Sequence, residues 1–331
     1  MKWLMAILIA FACSACQHEP IPEPEPDFKP ISVYKNPIDL DRVDELPCEV
    51  IPQISYYEYK DSPGFIYDIT QNQDNPNQWA FTRFYPMGNL GNEGYFKLFI
   101  ANLTTGQHSQ LDSAQELRLF SWTSGFVVYD DWFHTFLLDP TTKHKHTAPG
   151  MEPSVSPNGE FMAIYDFVED KRREVVSIPS FESAFVWKNR EFFNKGIWLK
   201  PNLFYSIDDF GNFKMLNCSD FSLSTVYEND LLLGWPECWI EPGRILVTSA
   251  GYSVDLESGN HSDYLLKRNC NNRSIKRLIN LRSEKKILIT KDYYDYFHDD
   301  ENPDKWALYY RRFHIIDYNG TNEQRVELKF E

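Results

Sequence analysis

The sequence predicts an all-β protein: a six-bladed β-propeller of four-stranded antiparallel blades, preceded by a signal peptide and a proline-rich tether. Aromatic residues make up 16% of the 331-residue chain, and aromatic side chains favour β-strands. Short apolar runs alternate with turn-forming clusters, whereas no long stretch carries apolar residues at helical spacing. These runs recur with a period of about 40 residues, which is typical of propeller blades that contain several strands each.

The chain begins with a predicted export signal over residues 1–15. Lys2 precedes an apolar run over residues 3–12, and small residues follow just before Cys16, which is the order of a secretory signal peptide. The run is shorter than the roughly 20 apolar residues that a membrane span needs. The residues before Cys16 resemble a bacterial lipobox, which predicts that Cys16 carries a lipid. Cys13 is the alternative site.

A tether is predicted over residues 16–47, and the propeller over residues 48–331. Prolines at positions 20, 22, 24, 26 and 30 fix φ and remove hydrogen-bond donors, so this stretch should be extended. We therefore expect an exported protein anchored by its lipid in the outer membrane, with the propeller facing the periplasm or the cell surface. For the remaining cysteines, the alternatives are one or two disulfides or four separate thiols; these cysteines are Cys48, Cys218, Cys238 and Cys270.

The net charge limits the class of partner. The formal charge of the chain is −15 at pH 7. Such a surface repels nucleic acid and anionic lipid, because both carry negative charge. We expect no nucleic-acid partner, and contact with the membrane through the lipid anchor only.

Six similar apolar runs define the predicted blades, each taken as the second strand, B, of strands A to D. Their first residues are Trp79, Phe126, Phe161, Leu203, Ile245 and Ile287. A second run follows each of them and ends in a polar turn, at Asn102, Asp139, Pro179, Asn217, Asp255 and Asp317. Six recurrences of the same pair of runs predict six blades. We expect residues 49–59 to lie against the last blade and help close the ring, since a propeller must cover its final edge.

Two stretches resemble the repeat of TolB-like, WD-like propellers. Residues 152–167, EPSVSPNGEFMAIYDF, resemble the half of that repeat in which Ser-Pro-Asp-Gly separates two strands, with Asn158 in place of the aspartate. Residues 309–328, YYRRFHIIDYNGTNEQRVEL, resemble the other half. With the lipobox, the chain is similar to a TolB-like propeller lipoprotein of Gram-negative bacteria. The resemblance implies a six-bladed body that binds or scaffolds, and it implies no reaction.

Two long B–C connections mark the candidate partner-binding site. In this arrangement the A–B and C–D turns lie on one side of the disc, and the D–A and B–C connections lie on the other. The long B–C connections are residues 85–95 in blade one and 293–305 in blade six. Because ring closure makes these blades neighbours, we expect the two connections to stand side by side, next to the basic D–A connection Lys267–Arg277. The candidate residues are Tyr85, Tyr95, Tyr294, Tyr296, Phe297, Asp299, Asp300 and Trp306.

The acidic part of the blade-six connection is also a candidate calcium site. Ca²⁺ takes 6–8 oxygen ligands, and this segment carries closely spaced carboxylates at Asp295, Asp299, Asp300 and Glu301. The alternative is a solvated acidic loop. No other metal or cofactor is indicated.

No catalytic motif accompanies these features. Nucleophile-elbow, Walker, Rossmann, zinc-protease and EF-hand patterns do not occur in the sequence. Residues 206–213 resemble a sialidase Asp-box whose glycine comes one position late, and we interpret them as a B–C turn. The favoured hypothesis is therefore a non-enzymatic envelope propeller that binds a protein or a glycan. The alternative is a glycan hydrolase with two carboxyl groups at the central channel, about 5–10 Å apart.

Replacing the predicted lipidation site tests the anchor. In Cys16→Ala the lipid attachment site is lost, so the protein should move from the membrane fraction to the soluble fraction or stall as the unprocessed precursor. Fractionation and mass measurement of the N-terminal peptide would report both effects. The matched control is Cys13→Ala, which should stay anchored. The opposite behaviour of the two variants would show that Cys13 is the lipidated residue.

Overall fold

The computed structural model describes residues 31–37, 65–87, 93–166, 172–178, 180–187, 196–208, 210–228, 234–264, 273–281, 284–295 and 308–330. Over these ranges the chain forms 25 strands and no helix, arranged in six antiparallel sheets. Five sheets have four strands each in sequence order, and the sixth has a fifth strand. The predicted six-bladed, all-β architecture is confirmed.

The first three blades follow one another along the chain. Blade one consists of β2 (Phe65–Gln71), β3 (Gln78–Met87), β4 (Glu93–Asn102) and β5 (Gln107–Ala114). Blade two consists of β6 (Arg118–Thr123), β7 (Phe126–Asp130), β8 (His134–Leu138) and β9 (Lys145–Pro149). Blade three consists of β10 (Met151–Val155), β11 (Phe161–Asp166), β12 (Arg172–Ser177) and β13 (Ser183–Val186).

The last three blades repeat the same order. Blade four consists of β14 (Gly196–Lys200), β15 (Leu203–Ile207), β16 (Phe213–Asn217) and β17 (Ser222–Tyr227). Blade five consists of β18 (Pro236–Glu241), β19 (Ile245–Thr248), β20 (Tyr252–Asp255) and β21 (His261–Asp263). Blade six consists of β22 (Arg273–Leu281), β23 (Lys286–Asp295), β24 (Leu308–Asp317) and β25 (Gln324–Phe330), joined by β1 (Ile31–Pro37). All six predicted B-strand starts fall in or at the start of the second strand of a blade.

The B strands are apolar at successive positions because both faces of a blade are buried. In β15, Phe204 packs with Ala163 of blade three, while the next residue, Tyr205, packs with Trp239 of blade five. Successive side chains of a strand point to opposite faces, so neighbouring residues enter different inter-blade cores. A continuous apolar run therefore predicts a strand with blades on both sides.

Blades one and six close the ring through a hydrophobic core of their own. Phe81 and Phe99 of blade one stack with ring centroids 5.2 Å apart, and they pack in one cluster with Leu288 and Ile315 of blade six. Five further clusters join the other consecutive blades. The first and last blades are thus in contact, as predicted.

The N-terminal segment adds an outer strand to the last blade. β1 pairs antiparallel with β25 along its whole length, from Ile31 opposite Phe330 to Pro37 opposite Gln324. β1 begins directly after the last closely spaced proline and lies within residues 16–47, which the sequence assigned to the tether. Its ISVY stretch is rich in β-favouring residues, and its pairing covers an edge that would otherwise be open. We predicted this role for residues 49–59, which lie outside the described residues.

The A–B turn of blade three explains its Ser-Pro-Asn-Gly sequence. Ser156 Oγ accepts a hydrogen bond from the Phe161 N–H at 3.0 Å, and Asn158 Oδ1 accepts one from the Glu160 N–H at 3.2 Å. Gly159 has φ +72°, and a Cβ there would lie 2.9 Å from Ser124 Cβ of blade two. Glycine is thus required both by the backbone conformation and by the approach of the neighbouring blade.

The cysteines described by the structure are separate thiols. Cys218 and Cys238 are both free and buried, one in the core between blades three and four and the other in the core between blades five and six. Burial raises the pKa of the Cys218 thiol to about 12 and also raises that of Cys238. Both are therefore protonated, unreactive core residues at neutral pH. Cys48 and Cys270 lie outside the described residues.

Truncation of a side chain in the closing interface tests the importance of ring closure. Leu288 is fully buried between blades six and one. Leu288→Ala should lower the free energy of unfolding by about 2–5 kcal/mol, because it leaves a cavity in that core. Thr104→Ala, in an exposed C–D turn, should stay within about 0.5 kcal/mol of the parent. Equal denaturation midpoints for the two variants would contradict the closed ring.

Candidate functional site

The predicted blade-one residues lie on an extended β-hairpin. The connection 85–95 is largely absorbed by β3 and β4, which pair as far as Met87 opposite Glu93. Tyr85 and Tyr95 face each other in this register, and their rings stack with centroids 5.2 Å apart and an interplanar angle of 9°. The structure therefore brings these two candidates together as one aromatic pair.

Buried cations lie against that tyrosine pair. Lys97 Nζ lies 4.8 Å from the Tyr85 ring centroid and 5.6 Å from that of Tyr95. The Arg83 guanidinium carbon lies 5.3 Å from the Tyr85 ring centroid. Both cationic residues are buried. The tyrosine rings are thus held by stacking and by cation–π contacts.

Most of the blade-six candidates lie outside the described residues. Tyr294 is placed in β23, where its backbone pairs with Tyr309; Asp295, at the end of β23, pairs with Leu308. The long connection of blade six thus also begins as an extension of its hairpin. The remaining candidates fall outside the described ranges, namely Tyr296, Phe297, Asp299, Asp300, Glu301 and Trp306.

The predicted basic D–A connection differs from the structure at its C-terminal end. Residues 273–277 belong to β22, the innermost strand of blade six. Arg277 donates to the Leu119 carbonyl oxygen of blade two, and its guanidinium carbon lies 5.2 Å from the Phe120 ring centroid. Arg277 therefore belongs to the central channel. The sequence RSIKRLINL forms a strand that begins at Arg273. We had interpreted its first residues as a connection because they carry several positive charges.

The exposed large apolar side chains of the described chain all lie on one side of the disc. They are Trp132, Phe133 and Phe210, which are 45%, 61% and 82% exposed. Trp132 and Phe133 lie in the B–C turn of blade two, between β7 and β8, and Phe210 lies in the B–C turn of blade four, between β15 and β16. We call this side, which also carries the Tyr85–Tyr95 hairpin, the B–C face.

Trp132 is held rigidly at the rim of the central channel. The guanidinium carbon of Arg118 lies 3.6 Å from its ring centroid, and the indole N–H donates to Glu116 Oε2 at 3.2 Å. Its backbone has φ +75°, a conformation that costs a bulky residue about 1–3 kcal/mol and that persists only when surrounding contacts impose it. The strain therefore marks Trp132 as a candidate functional residue.

Asp130 is the residue that imposes this arrangement. Its carboxylate is fully buried and accepts two hydrogen bonds of 2.7 Å from Arg118 and one of 2.8 Å from the Glu152 N–H. The backbone N–H of Trp132 also donates to the Asp130 carboxylate. Burial raises the pKa of the Asp130 carboxyl group, and the Arg118 guanidinium opposes that rise. One carboxylate thus orients groups from blades two and three, including Glu152, whose φ is also positive at +53°.

Asp208 organises the turn that presents Phe210. Its Oδ1 accepts hydrogen bonds of 2.9 Å from the N–H groups of Phe210 and Asn212, and its Oδ2 accepts one of 3.0 Å from the Asn212 amide. Lys214 Nζ lies 3.4 Å from Oδ2. Burial alone would raise the pKa of Asp208, but these donors outweigh it and the pKa is lowered. The segment with the displaced Asp-box glycine is thus a B–C turn, as predicted.

A central cavity of about 500 Å³ opens beside Trp132. Innermost strands of all six blades line it, as expected for a propeller channel, through residues that include Asp68, Leu119, Glu152, Ile197, Trp239 and Leu278. Its volume falls within the roughly 300–1,000 Å³ of small-molecule pockets. Four carboxylate residues line it, Asp68, Asp74, Glu152 and Glu237, with two cationic residues, Arg118 and Arg277.

Among the described residues, no three His, Cys, Asp or Glu side chains lie close enough together to hold a metal ion. The side chains of the candidate calcium ligands Asp295, Asp299, Asp300 and Glu301 are not among those described. No helix in the described portion is long and apolar enough to cross a bilayer.

Comparisons with known proteins give structural similarity without a family. No family model matches the chain, and no curated protein sequence matches it. The chain is similar to an acylaminoacyl peptidase from Pyrococcus horikoshii, with a TM-score of 0.47 and 12% identity, over 80% of this chain and 46% of that chain. It thus spans less than half of the peptidase.

Two further solved structures are similar at the same level. A chain of a mitotic checkpoint complex has a TM-score of 0.45 and 11% identity, over 95% of this chain and 98% of that one. An oligogalacturonate lyase in complex with manganese has a TM-score of 0.42 and 9% identity, over 89% of this chain and 70% of that one. The class of this protein, a six-bladed β-propeller, accordingly rests on its own strand order.

Sequence reasoning missed the Arg118–Asp130–Trp132 group. The signal available was the string DDWF at residues 130–133, which places two large aromatic residues in a short turn. Turns are usually polar, so such a pair indicates a surface with a function. The partner Arg118 could not be found in this way, because its contact with Trp132 depends on the hairpin geometry of blade two.

Removal of the Asp208 carboxylate tests how the Phe210 turn is held. Asp208→Ala should lower the free energy of unfolding by about 1–3 kcal/mol at pH 7, because three part-buried hydrogen-bond donors lose a charged acceptor. The lowered pKa means that the carboxylate stabilises the fold above the unfolded-state pKa of about 3.9. That stabilisation is lost as the pH falls through the folded-state pKa.

The pH dependence gives the decisive measurement. The difference in melting temperature between Asp208→Ala and the parent should narrow as the pH is lowered from 6 towards the acid limit of folding. Asp220→Ala is the matched control, since its carboxylate accepts hydrogen bonds only within an exposed C–D turn. A difference for Asp208→Ala that stays constant with pH would show that its carboxylate does not hold the turn.

Proposed function

We propose that this protein is a cell-envelope lipoprotein, anchored through Cys16 in the outer membrane, whose TolB-like propeller binds a protein or glycan partner on the B–C face without chemical conversion. The observation that carries the proposal is the placement of the exposed aromatic residues. Trp132, Phe133 and Phe210 come from two different blades, yet all lie on the same face.

The B–C face has the composition of a recognition surface. Aromatic residues and arginine are enriched at protein interfaces, and isolated exposed apolar residues become informative when they gather on one side. Tyr85 and Tyr95 add a third aromatic element on blade one. The predicted residues of the blade-six connection, from Tyr294 to Trp306, would extend this surface because blades one and six are neighbours.

The rigidity of the face supports binding. Asp130 fixes the orientation of Arg118 beneath Trp132, and Asp208 fixes the turn of Phe210. Side chains that are already ordered lose little conformational entropy when a partner binds. The hydrolase alternative would need two carboxyl groups positioned on either side of a scissile bond. Asp130 is unsuited to that role, because its oxygens are occupied by Arg118, Glu152 and Trp132.

Affinity capture with the lipidated full-length protein tests the proposal. Capture from the protein's own envelope, after cross-linking, should yield a partner that the double variant Phe133→Ser/Phe210→Ser retains at least tenfold less. The reason is that anchoring aromatic residues contribute about 2 kcal/mol or more each, and 1.4 kcal/mol corresponds to a factor of ten. The melting temperature should be nearly unchanged, because both side chains are exposed.

The opposite face provides the matched control. The double variant Thr104→Ala/Thr141→Ala changes two exposed C–D turns and should capture the partner as the parent does. Deletion of Asp295–Pro303 should also abolish capture if the blade-six connection belongs to the same surface. Undiminished capture by the serine double variant would exclude the B–C face as the binding surface.

A further inference from the structure

We infer that the mouth of the central cavity binds a neutral saccharide, with its ring stacked on Trp132. This inference rests on the proposed function and narrows it, since it names the chemical class of a ligand on the B–C face. It depends on the cavity that opens beside Trp132 and on the charged groups that line it. Each property of the site excludes a different class of ligand.

Trp132 supplies a ready-made stacking surface. Arg118 covers one side of the indole, and Glu116 holds its N–H edge. Trp132 nevertheless remains 45% exposed and lines the cavity. The contacts with Arg118 and Glu116 hold it there in a strained backbone conformation, φ +75°, without a bound partner. Such a fixed apolar surface suits a flat, weakly polar ligand face, because little ordering is needed on binding.

The charge of the cavity excludes anionic ligands. Of the four carboxylate residues that line it, Asp74 lies in an A–B turn on the opposite side of the disc, and the other three, Asp68, Glu152 and Glu237, stand against two arginines. Arg118 is already neutralised by the fully buried Asp130, and its Nη1 lies 3.8 Å from Glu152 Oε1. A phosphate, a uronic acid or an acidic peptide would therefore meet net repulsion in a partly enclosed space.

The aromatic rings of the cavity exclude cationic ligands. An ammonium or guanidinium ligand binds by lying over ring faces. Here the protein's own cations occupy those positions: Arg118 lies 3.6 Å from the Trp132 ring centroid and 5.6 Å from that of Phe120. The guanidinium carbon of Arg277 lies 5.2 Å from the Phe120 ring centroid, and the same guanidinium group donates to the Leu119 carbonyl oxygen. A ligand cation would therefore find these ring faces already occupied.

A purely apolar ligand fits no better. Carboxylates and guanidinium groups of the lining would lose hydration without receiving new hydrogen bonds, which is costly. A neutral sugar ring avoids all three difficulties. Its C–H face can stack on Trp132, and its hydroxyl groups can donate charge-assisted hydrogen bonds to the Glu152 carboxylate. Ser121, which also lines the cavity, offers a further hydroxyl partner.

Titration calorimetry and tryptophan fluorescence with the full chain would test this inference. The probes are neutral mono- to tetrasaccharides, each matched with the corresponding uronic acid and amino sugar. We expect saturable binding of at least one neutral series, with the charged counterparts bound at least tenfold more weakly. Trp132→Ala should weaken that binding at least tenfold, and Trp132→Phe should restore part of it.

A matched pair of carboxylate variants distinguishes the loss of a carboxylate that lines the cavity from the loss of one elsewhere on the surface. Glu152→Gln should weaken saccharide binding about three- to tenfold, through loss of a charge-assisted acceptor. Glu160→Gln changes an exposed carboxylate in an A–B turn on the opposite face and should leave binding unchanged. Neutral saccharides that do not bind, or that bind equally to Trp132→Ala, would overturn the inference.

The two proposals can fail separately. If no neutral saccharide binds while the Phe133→Ser/Phe210→Ser variant still loses its captured partner, the saccharide site is wrong and the B–C face stands. If saccharides bind through Trp132 while the Phe133→Ser/Phe210→Ser variant captures the partner as the parent does, the cavity site stands and the wider binding surface is wrong. Tighter binding of the uronic acids or amino sugars would overturn the charge argument itself.

Discussion

The burial of both faces of every blade is the constraint on which this structure depends. A blade with one uncovered face would expose an apolar strand surface, so each blade needs two neighbours and the ring needs to close. Phe81 and Phe99 of blade one meet Leu288 and Ile315 of blade six in a core as apolar as the other five. Residues far apart in the sequence are therefore adjacent in the fold. This adjacency also brings the two long hairpins, which begin at β3 and β23, to neighbouring positions.

The blade register could be predicted because two local signals coincide. Turn residues interrupt the chain at regular intervals, and continuous apolar runs mark strands with both faces buried. The pairing of β1 with β25 could not be predicted in this way, because its short ISVY stretch directly follows the proline-rich segment and an outer strand pairs with only one neighbour. The hairpin extensions were also missed. Residues 85–95 contain glycine, asparagine and proline, which indicate a loop, yet the register of β3 and β4 continues to Met87.

The candidate site illustrates a different limit of sequence reasoning. Tyr85 and Tyr95 were predicted to act together, and hairpin pairing places them opposite each other. Arg118 and Asp130 face each other in the β6–β7 hairpin, whereas Glu152 comes from blade three and no spacing rule relates it to them. The association of Glu152 with Asp130 is decided by how blade three packs on blade two, which delivers the Glu152 N–H to Asp130. Contacts between blades thus depend on tertiary geometry.

Turns on both faces of the disc satisfy backbone hydrogen bonds through an acidic or amide side chain at or just after the end of the preceding strand. In four C–D turns of the described chain, the side chain that ends strand C accepts from a backbone N–H two residues on; these residues are Asn102, Asp139, Asn217 and Asp255. These side chains are committed to closing the turn. On the B–C face, Asp131 and Asp208 do the same for the N–H groups of Phe133 and Phe210, while the buried Asp130 binds Arg118 beneath the blade-two turn. The turn tips are then free to carry Trp132, Phe133 and Phe210. The carboxylates that close the B–C turns thus let the turn tips carry apolar side chains without weakening the turns that hold the strands, and that is the physical basis on which we propose recognition on the B–C face.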